Sequence, residues 1–144
     1  MKTVKEYEES LYSMKPNIYI GNEKVDRRDP RISHGMNIVK ETYKMAQNPK
    51  YEDLCTATSH ITGKKINRFT HIHQNEDDLF KKQRMTRVLC HGVGGCIQRC
   101  MGIDAMNGLS VITYECDQAL GTNYYDNFMK YLEYFQENDL AASC

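Results

Sequence analysis

Tryptophan is absent from this sequence of 144 residues, proline occurs only three times, and the formal positive and negative charges cancel. No run of eighteen apolar residues occurs, so the sequence predicts no transmembrane helix. Because the pI is also near neutral, nothing predicts long-range attraction to nucleic acid or to an anionic membrane. The segment from Met1 to Ser10 is charged and lacks the apolar core of a secretory signal. We therefore expect a cytoplasmic protein without a nucleic-acid or membrane partner.

Cysteine is unusually frequent for a cytoplasmic chain of this size. Without a secretory signal, a disulfide framework is a poorer interpretation of these residues than metal binding or burial. The six cysteines are Cys55, Cys90, Cys96, Cys100, Cys116 and Cys144.

Hydrophobic residues make up 40% and charged residues 26% of the chain, which is typical of globular proteins and suits one domain.

Helix-start signals recur along the chain and predict a mainly α-helical domain. Thr3 and Glu6 have the spacing of a capping box. Ser33 and Asn75 each precede an amphipathic segment and predict two further N-caps. Short β-tending pieces on either side of Gly21-Asn22 predict a small hairpin within this helical domain.

The stretch from residue 59 to residue 73 has the weakest periodicity, and we expect it to be irregular and extended. His71 and His73 are two residues apart and would lie on the same side of a strand, which suits a pair of metal ligands. A polar strand face exposed to solvent is the more frequent explanation of such a pattern.

The most informative motif is Gly94-Gly95-Cys96-Ile97-Gln98-Arg99-Cys100. We expect a helix to resume at Cys96 after the glycines, which places Cys96 and Cys100 on one face with β-carbons about 5–6 Å apart. Two thiolates at that distance can bind one metal centre, and Arg87 and Arg99 would favour the thiolate form. Simple burial of two small side chains remains the alternative.

The motif by itself does not supply enough ligands for a complete metal site. An iron–sulfur cluster or a structural zinc ion normally takes four protein ligands, and the motif supplies two. Either one of the histidines at 60, 71 and 73 completes the site, or the other ligands lie on another segment.

A second, apolar stripe runs along the helix that is expected to resume at Cys96, so we expect this helix to be buried on most sides. The stripe consists of Met101, Ala105, Leu109 and Ile112.

Several motifs together resemble one known family. They are Tyr19 to Lys24, Gly63-Lys64-Lys65-Ile66-Asn67-Arg68-Phe69, His73-Gln74, Asp77-Asp78-Leu79, Cys96-x-Gln98-Arg99-Cys100-Met101-Gly102-x-Asp104-Ala105, Gly121-Thr122-Asn123-Tyr124 and Gln136-Glu137-Asn138-Asp139-Leu140. From about Tyr7 to Leu140 the chain resembles the 4-hydroxybutyryl-CoA dehydratases, or vinylacetyl-CoA delta-isomerases, of the 4-hydroxyphenylacetate 3-hydroxylase superfamily. The resemblance is specific, because the related 4-hydroxyphenylacetate 3-hydroxylases are not expected to carry the paired cysteines.

The resemblance implies an acyl-CoA-dehydrogenase-like fold, in which a helical N-terminal domain precedes a β-domain and a C-terminal helical bundle. It implies FAD and a [4Fe–4S] cluster as cofactors, a CoA-thioester substrate and a homo-oligomer, namely a tetramer. The implied reactions are dehydration of 4-hydroxybutyryl-CoA to crotonyl-CoA and isomerisation of vinylacetyl-CoA. The implied chemistry is radical, with one-electron oxidation of a substrate enolate by flavin and the cluster as a Lewis acid for the leaving hydroxyl group.

By position, Cys96 and Cys100 match the two N-terminal cluster ligands of the family, and Gln98 and Arg87 match positions that look like active-site residues. The other two ligands, the FAD-binding segments and the catalytic carboxylate belong to later domains of the family. We expect residues 1–140 to form the helical N-terminal domain and 141–144 to be a tail at a truncation point. The isolated chain is then expected to be inactive without the missing domains or a homologous subunit.

Two other functions stay open at this point. The chain could be the N-terminal domain of a reduced-flavin-dependent aromatic hydroxylase, although the paired cysteines argue against it. It could also be a non-catalytic remnant, which predicts neither flavin nor cluster nor turnover.

Overall fold

The computed structural model describes residues 1–142, which form six α-helices, two antiparallel hairpins and two 3-10 turns. The helices are α1 (Val4–Tyr12), α2 (Ser33–Ala46), α3 (Glu52–Cys55), α4 (Glu76–Val93), α5 (Cys100–Leu120) and α6 (Tyr124–Glu137). Strands β1 (Ile18–Ile20) and β2 (Glu23–Val25) form one hairpin, and β3 (Thr56–Thr58) and β4 (Lys65–Asn67) form the other. The 3-10 turns are Pro30–Ile32 and Arg68–Thr70. The predicted class, mainly α with a short β-hairpin element, is confirmed.

Two predicted helix caps are present as hydrogen-bonded motifs. The Thr3 hydroxyl accepts from the Glu6 amide at 3.1 Å, and the Glu6 carboxylate accepts from the Thr3 amide at 2.7 Å. At the start of α4, the Asn75 side chain accepts from the Asp78 amide at 3.1 Å. Each cap pairs backbone amides that the first turn of the helix leaves without a partner. The polar residues Thr3 and Asn75 therefore predicted the starts of α1 and α4 correctly.

The start of α2 and the start of α6 use other contacts. Ser33 is the first residue of α2 and not its cap, and its hydroxyl donates to the Pro30 carbonyl at 2.7 Å. The prediction was wrong because the preceding 3-10 turn leads directly into the helix. In α6 the first amides, those of Tyr124 and Tyr125, donate to the Asp117 carboxylate at 2.8 and 2.9 Å. A side chain of α5 therefore caps the next helix.

The apolar interior divides into three clusters, which together join the helices to the second hairpin. The first lies between α2, α3, α4 and the start of α5 and contains Ala46, Cys55, Phe69, Met85, Leu89, Ile97 and Ile103. The second lies between α5 and α6 and contains Ile72, Met106, Phe128, Leu132 and Phe135. The third joins α1 to α2 and contains Tyr7, Val39 and Tyr43, with the Tyr7 and Tyr43 rings stacked at 4.8 Å.

Helix α5 is not buried on most sides, contrary to the sequence prediction. Its main contacts are with α6 and with the 3-10 turn Arg68–Thr70, and only its start reaches the first core cluster. Leu109 is 41% exposed and Ile112 is 51% exposed, since no element within residues 1–142 covers that side. Within the same residues, no helix combines the length and the apolar character needed to cross a membrane.

Candidate functional site

Helix α4 ends where two consecutive glycines take left-handed backbone angles. Gly94 has φ of 75° and Gly95 has φ of 111°, values that side chains with a Cβ rarely adopt. The Gly95 amide donates to the Cys90 carbonyl at 2.9 Å and closes the helix end. The chain therefore leaves the helical path before it reaches the cysteine motif.

The residues from Cys96 to Arg99 form a loop, and α5 begins only at Cys100. The predicted restart of the helix at Cys96 is therefore wrong, and the helical spacing of the two cysteines does not apply. The physical reason lies in the backbone, because Gln98 also takes a left-handed φ of 47° after the two glycines. Cys96 is exposed, whereas the side chain of Cys100 lies outside the described part of the structure.

Exposed and buried side chains alternate along this loop. Cys96 and Gln98 face outward. Ile97 belongs to the first core cluster, and Arg99 is completely buried. The loop is thus attached to the interior by every second residue, Ile97 and Arg99.

Arg99 is the largest fully buried side chain among the described residues. Its Nη2 donates to the Asp139 carboxylate at 2.7 Å and to the Leu140 carbonyl at 2.8 Å. Its Nη1 donates to the Thr42 hydroxyl at 3.1 Å, and the guanidinium carbon lies 4.3 Å from the centre of the Tyr43 ring. The charge of Arg99 is therefore neutralised by a buried carboxylate and is not left free to face a cysteine thiolate.

Gln98 lines a groove of about 290 Å³ between the cysteine loop, α1 and α2. The other lining residues are Tyr7, Leu11, Gly35, Met36, Val39, Ala141 and Ala142. The amide oxygen of Gln98 lies 3.0 Å from the point that a Cβ on Gly35 would occupy. A larger residue at position 35 would therefore displace the Gln98 side chain.

Arg87 lies on the exposed side of α4. It lines a separate shallow groove with Phe80, Gln83 and Arg84, all from the same helix. This groove and the groove beside Gln98 have no lining residue in common. Their proposed roles are therefore tied to two separate grooves.

His71 is buried and does not lie on a strand. The interpretation of His71 and His73 as part of a solvent-exposed polar strand face is therefore wrong. Its Nε2 lies 3.0 Å from the Asp78 carboxylate, which also accepts from Arg68 Nη1 at 3.0 Å. The histidine is buried because the first turn of α4 supplies this carboxylate as a partner. Burial would raise the pKa of Asp78, but hydrogen bonds from the Gln74 amide, His71 and Arg68 outweigh it and hold that pKa well below its usual range.

Among the side chains that the structure describes, the histidines form no metal site with the cysteines. Within residues 1–142, no group of three or more potential ligands from His, Cys, Asp and Glu lies close enough to hold a metal ion, as far as the side chains are described. Burial raises the pKa of the Cys55 thiol to about 11, so this residue is a poor thiolate ligand. Cys90 and Cys116 are half-buried free thiols. Among the four cysteine side chains that are described, Cys96 is therefore the exposed one.

Comparison with known proteins gives consistent similarities over almost the whole chain. Residues 3–144 match the family described as 4-hydroxyphenylacetate 3-hydroxylase N terminal. The chain is 46% identical over 144 residues to the 4-hydroxybutyryl-CoA dehydratase/vinylacetyl-CoA delta-isomerase of Clostridium aminobutyricum. That match covers 99% of this chain and 29% of the relative, so the chain spans less than a third of the relative's length.

Solved structures show the same fold. An oxygen-tolerant archaeal 4-hydroxybutyryl-CoA dehydratase from N. maritimus superposes with a TM-score of 0.91 at 37% identity, over 97% of this chain and 28% of that one. The oxygenase component of 4-hydroxyphenylacetate 3-monooxygenase, in complex with FAD and 4-hydroxyphenylacetate, superposes with a TM-score of 0.75 at 22% identity, over 98% of this chain and 29% of that one. The second likeness establishes the fold alone.

Proposed function

This chain belongs to the 4-hydroxyphenylacetate 3-hydroxylase N-terminal family, and from that premise we propose that it is the N-terminal part of a 4-hydroxybutyryl-CoA dehydratase with vinylacetyl-CoA isomerase activity. The observation that carries the proposal is the 46% identity to the curated dehydratase over the whole chain. Identity to the structurally similar monooxygenase is only 22%, which favours the dehydratase over the aromatic hydroxylase.

Cys96 and Cys100 are proposed as two ligands of a [4Fe–4S] cluster. The donor set fits this group only as half a site, because thiolates are the usual ligands of such clusters and four are needed. Cys96 is exposed on a loop and is free to bind iron, which supports its assignment. The cluster would supply a Lewis acid. FAD would be bound mainly by polypeptide outside these 144 residues and would supply one-electron redox chemistry.

Gln98 and Arg87 are proposed to line the substrate site. Gln98 is exposed beside Cys96, and its amide can donate a hydrogen bond to the thioester carbonyl and help to orient it. The apolar side chains of the adjoining groove would keep water away from that amide. The planar guanidinium group of Arg87 on α4 can donate two parallel hydrogen bonds to a carboxylate or to a phosphate of CoA.

The remaining parts of the enzyme are proposed to come from the polypeptide that the relatives have and this chain does not span. A β-domain and a C-terminal helical bundle would complete the cluster and the flavin site, in the same polypeptide or in a homologous subunit, and the complete enzyme would form a homo-oligomer. Residues 1–140 remain our proposal for the domain, with 141–144 as a tail. The cytoplasm remains the expected compartment.

The ligand assignment can be tested by cluster content. The chain is expressed together with the later domains of a dehydratase relative, iron and sulfide are added without oxygen, and the visible spectrum and iron content are recorded. We expect Cys96→Ser to lose most of the cluster absorbance, because one thiolate ligand is removed. The matched control is Cys116→Ser, a half-buried cysteine on α5, which should retain the cluster. Equal cluster content in the two variants contradicts the assignment.

The same preparation separates the rival functions. Conversion of 4-hydroxybutyryl-CoA to crotonyl-CoA supports the dehydratase. Hydroxylation of 4-hydroxyphenylacetate with reduced flavin supports the aromatic hydroxylase instead. Absence of flavin, cluster and turnover in the completed protein supports a non-catalytic remnant.

A further inference from the structure

The cysteine loop has little backbone support of its own. Among the described residues, the amides from Cys96 to Arg99 donate no hydrogen bond to a backbone carbonyl. The loop follows two glycines with left-handed angles, and Gln98 shares that conformation. Apart from the bond that the Arg99 carbonyl accepts from the Gly102 amide at 3.1 Å, its shape therefore depends on side chains, and the buried ones are Ile97 and Arg99.

Ile97 and Arg99 contribute different kinds of attachment. Ile97 packs in the first core cluster, where apolar contact is non-directional and tolerates small rotations of the loop. Arg99 makes three directional hydrogen bonds to three different residues and also stacks on Tyr43. Of these two buried side chains, Arg99 is therefore the one whose contacts define an orientation as well as a position for the backbone next to Cys100.

The partners of Arg99 are themselves held in place. The Asp139 carboxylate also accepts from the Lys2 amide at 2.9 Å, and the Asp139 carbonyl accepts from the Tyr43 hydroxyl at 2.8 Å. The Thr42 hydroxyl donates to the Val39 carbonyl at 2.7 Å, which leaves its oxygen free to accept from Arg99. These contacts tie the cysteine loop to the chain start, to α2 and to the segment after α6.

Stability alone is a weak explanation of this arrangement. A buried ion pair must overcome the loss of hydration of both charges, and apolar residues of similar volume often stabilise a core as well. Arg99 also has a buried Nε with no hydrogen-bond partner among the residues that the structure describes, which adds to that cost. What the guanidinium contributes and an apolar side chain does not is a defined geometry between α2, the segment after α6 and the loop.

We propose that Arg99, through its buried contacts with Asp139, Thr42 and Leu140, is a positioning residue that holds the loop so that Cys96 and Cys100 bind one metal centre together. The inference rests on the proposed function, since it takes the two cysteines as partners. Arg99 itself touches neither substrate nor cofactor in this proposal. Its substitution should therefore weaken the action of the two thiols as a pair more than substitution of a comparably buried arginine elsewhere in the chain does.

The test uses the purified, reduced 144-residue chain and phenylarsine oxide, a trivalent arsenical that binds two neighbouring thiols of one protein. Affinity is measured by displacement with a monothiol and the 1:1 adduct by mass spectrometry. Arg99→Lys keeps the charge but removes the forked hydrogen bonds, and we expect at least tenfold weaker binding. The matched control is Arg68→Lys, which alters another buried ion pair, with Asp78, that makes no hydrogen bond to the described residues of the loop, and it should bind as the parent does.

A further variant separates this inference from the proposed function. Cys96→Ser should abolish the bridged adduct, and if it does not, the cysteine pairing and hence the proposed cluster site fail. If Cys96→Ser abolishes the adduct but Arg99→Lys binds as tightly as Arg68→Lys, the positioning role is overturned. Near-ultraviolet dichroism checks the fold of each variant. Should Arg99→Lys unfold, Asp139→Asn replaces it, because it weakens the anchor from outside the loop, and the same tenfold criterion applies.

Discussion

At the scale of single residues, two buried charge pairs organise this chain. Arg99 pairs with Asp139, and Arg68 together with His71 contacts Asp78. In both cases a carboxylate at or just beyond the end of an α-helix meets an arginine that lies outside the α-helices. Each pair therefore joins a helix end to a connecting segment.

Asp78→Asn should make the chain less sensitive to acid. Because the folded-state pKa of Asp78 is depressed, its stabilisation is present above the ordinary aspartate value of about 3.8 and is lost as the pH falls below it. The free energy of unfolding in urea should therefore drop between pH 5 and pH 2 in the parent and drop less in the variant. At pH 7 the variant should lose about 3 kcal/mol, since Arg68 and His71 lose their carboxylate.

The control for this prediction is Asp77→Asn, the neighbouring and mostly exposed carboxylate that pairs with Lys81 at 3.3 Å. An exposed pair of this kind contributes little to stability. The same pH dependence for the Asp77 and Asp78 variants would rule out the special role of Asp78.

At the scale of elements, the decisive feature is the break between α4 and α5. Both helices are long, and a continuous helix would place Cys96 on the same surface as Cys100. Gly94 and Gly95 end α4 instead, and the loop carries Cys96 and Gln98 on its outer side. This break therefore leaves a thiol and an amide exposed two residues apart on one loop, which supports the proposed site.

Gly94→Ala should destabilise the chain by about 1 kcal/mol, because a Cβ is strained at a φ of 75°. The control is Gly92→Ala, two residues earlier and inside α4, where no atom lies within 4 Å of the added Cβ. That substitution should raise the free energy of unfolding by up to about 1 kcal/mol, as alanine favours the helix. Urea unfolding at neutral pH measures both, and shifts of the same sign would show that Gly94 does not need its left-handed conformation.

At the scale of the whole molecule, the described chain has a well-filled interior on one side of α5, whereas several large apolar side chains of this helix are exposed. They are Leu109, Val111, Ile112 and Leu120, of which Leu109 and Ile112 are three residues apart and lie on neighbouring turns of one face. Large apolar surfaces of this kind usually contact another protein surface. Since the relatives are more than three times as long, their remaining polypeptide is a natural source of that contact.

Without such a contact, the chain should self-associate as its concentration rises. Replacing Leu109 and Ile112 together by glutamine should shift the gel-filtration elution towards the monomer and leave the far-ultraviolet dichroism unchanged, because both side chains are already about half exposed. The matched control replaces two exposed polar residues of α6, Lys130 and Glu133, by glutamine. Equal association of parent and both double variants would exclude this surface as the cause.

The sequence by itself determined the features that depend on neighbouring residues. The capping box at Thr3, the cap at Asn75 and both predicted β1 and β2 pieces were located correctly, because each involves residues only a few positions apart. The family was also readable from motifs spread along the chain.

Only the tertiary structure decided where the cysteine loop and the buried charges lie. Arg99 meets Asp139 across 40 positions and Thr42 across 57, and no periodicity in the sequence signals either contact. His71 is buried because α4 brings Asp78 to it, although its own neighbours in the sequence suggest an exposed strand. Whether a charged side chain can be buried depends on a distant partner that compensates its lost hydration, and that partner is found only once the chain has folded.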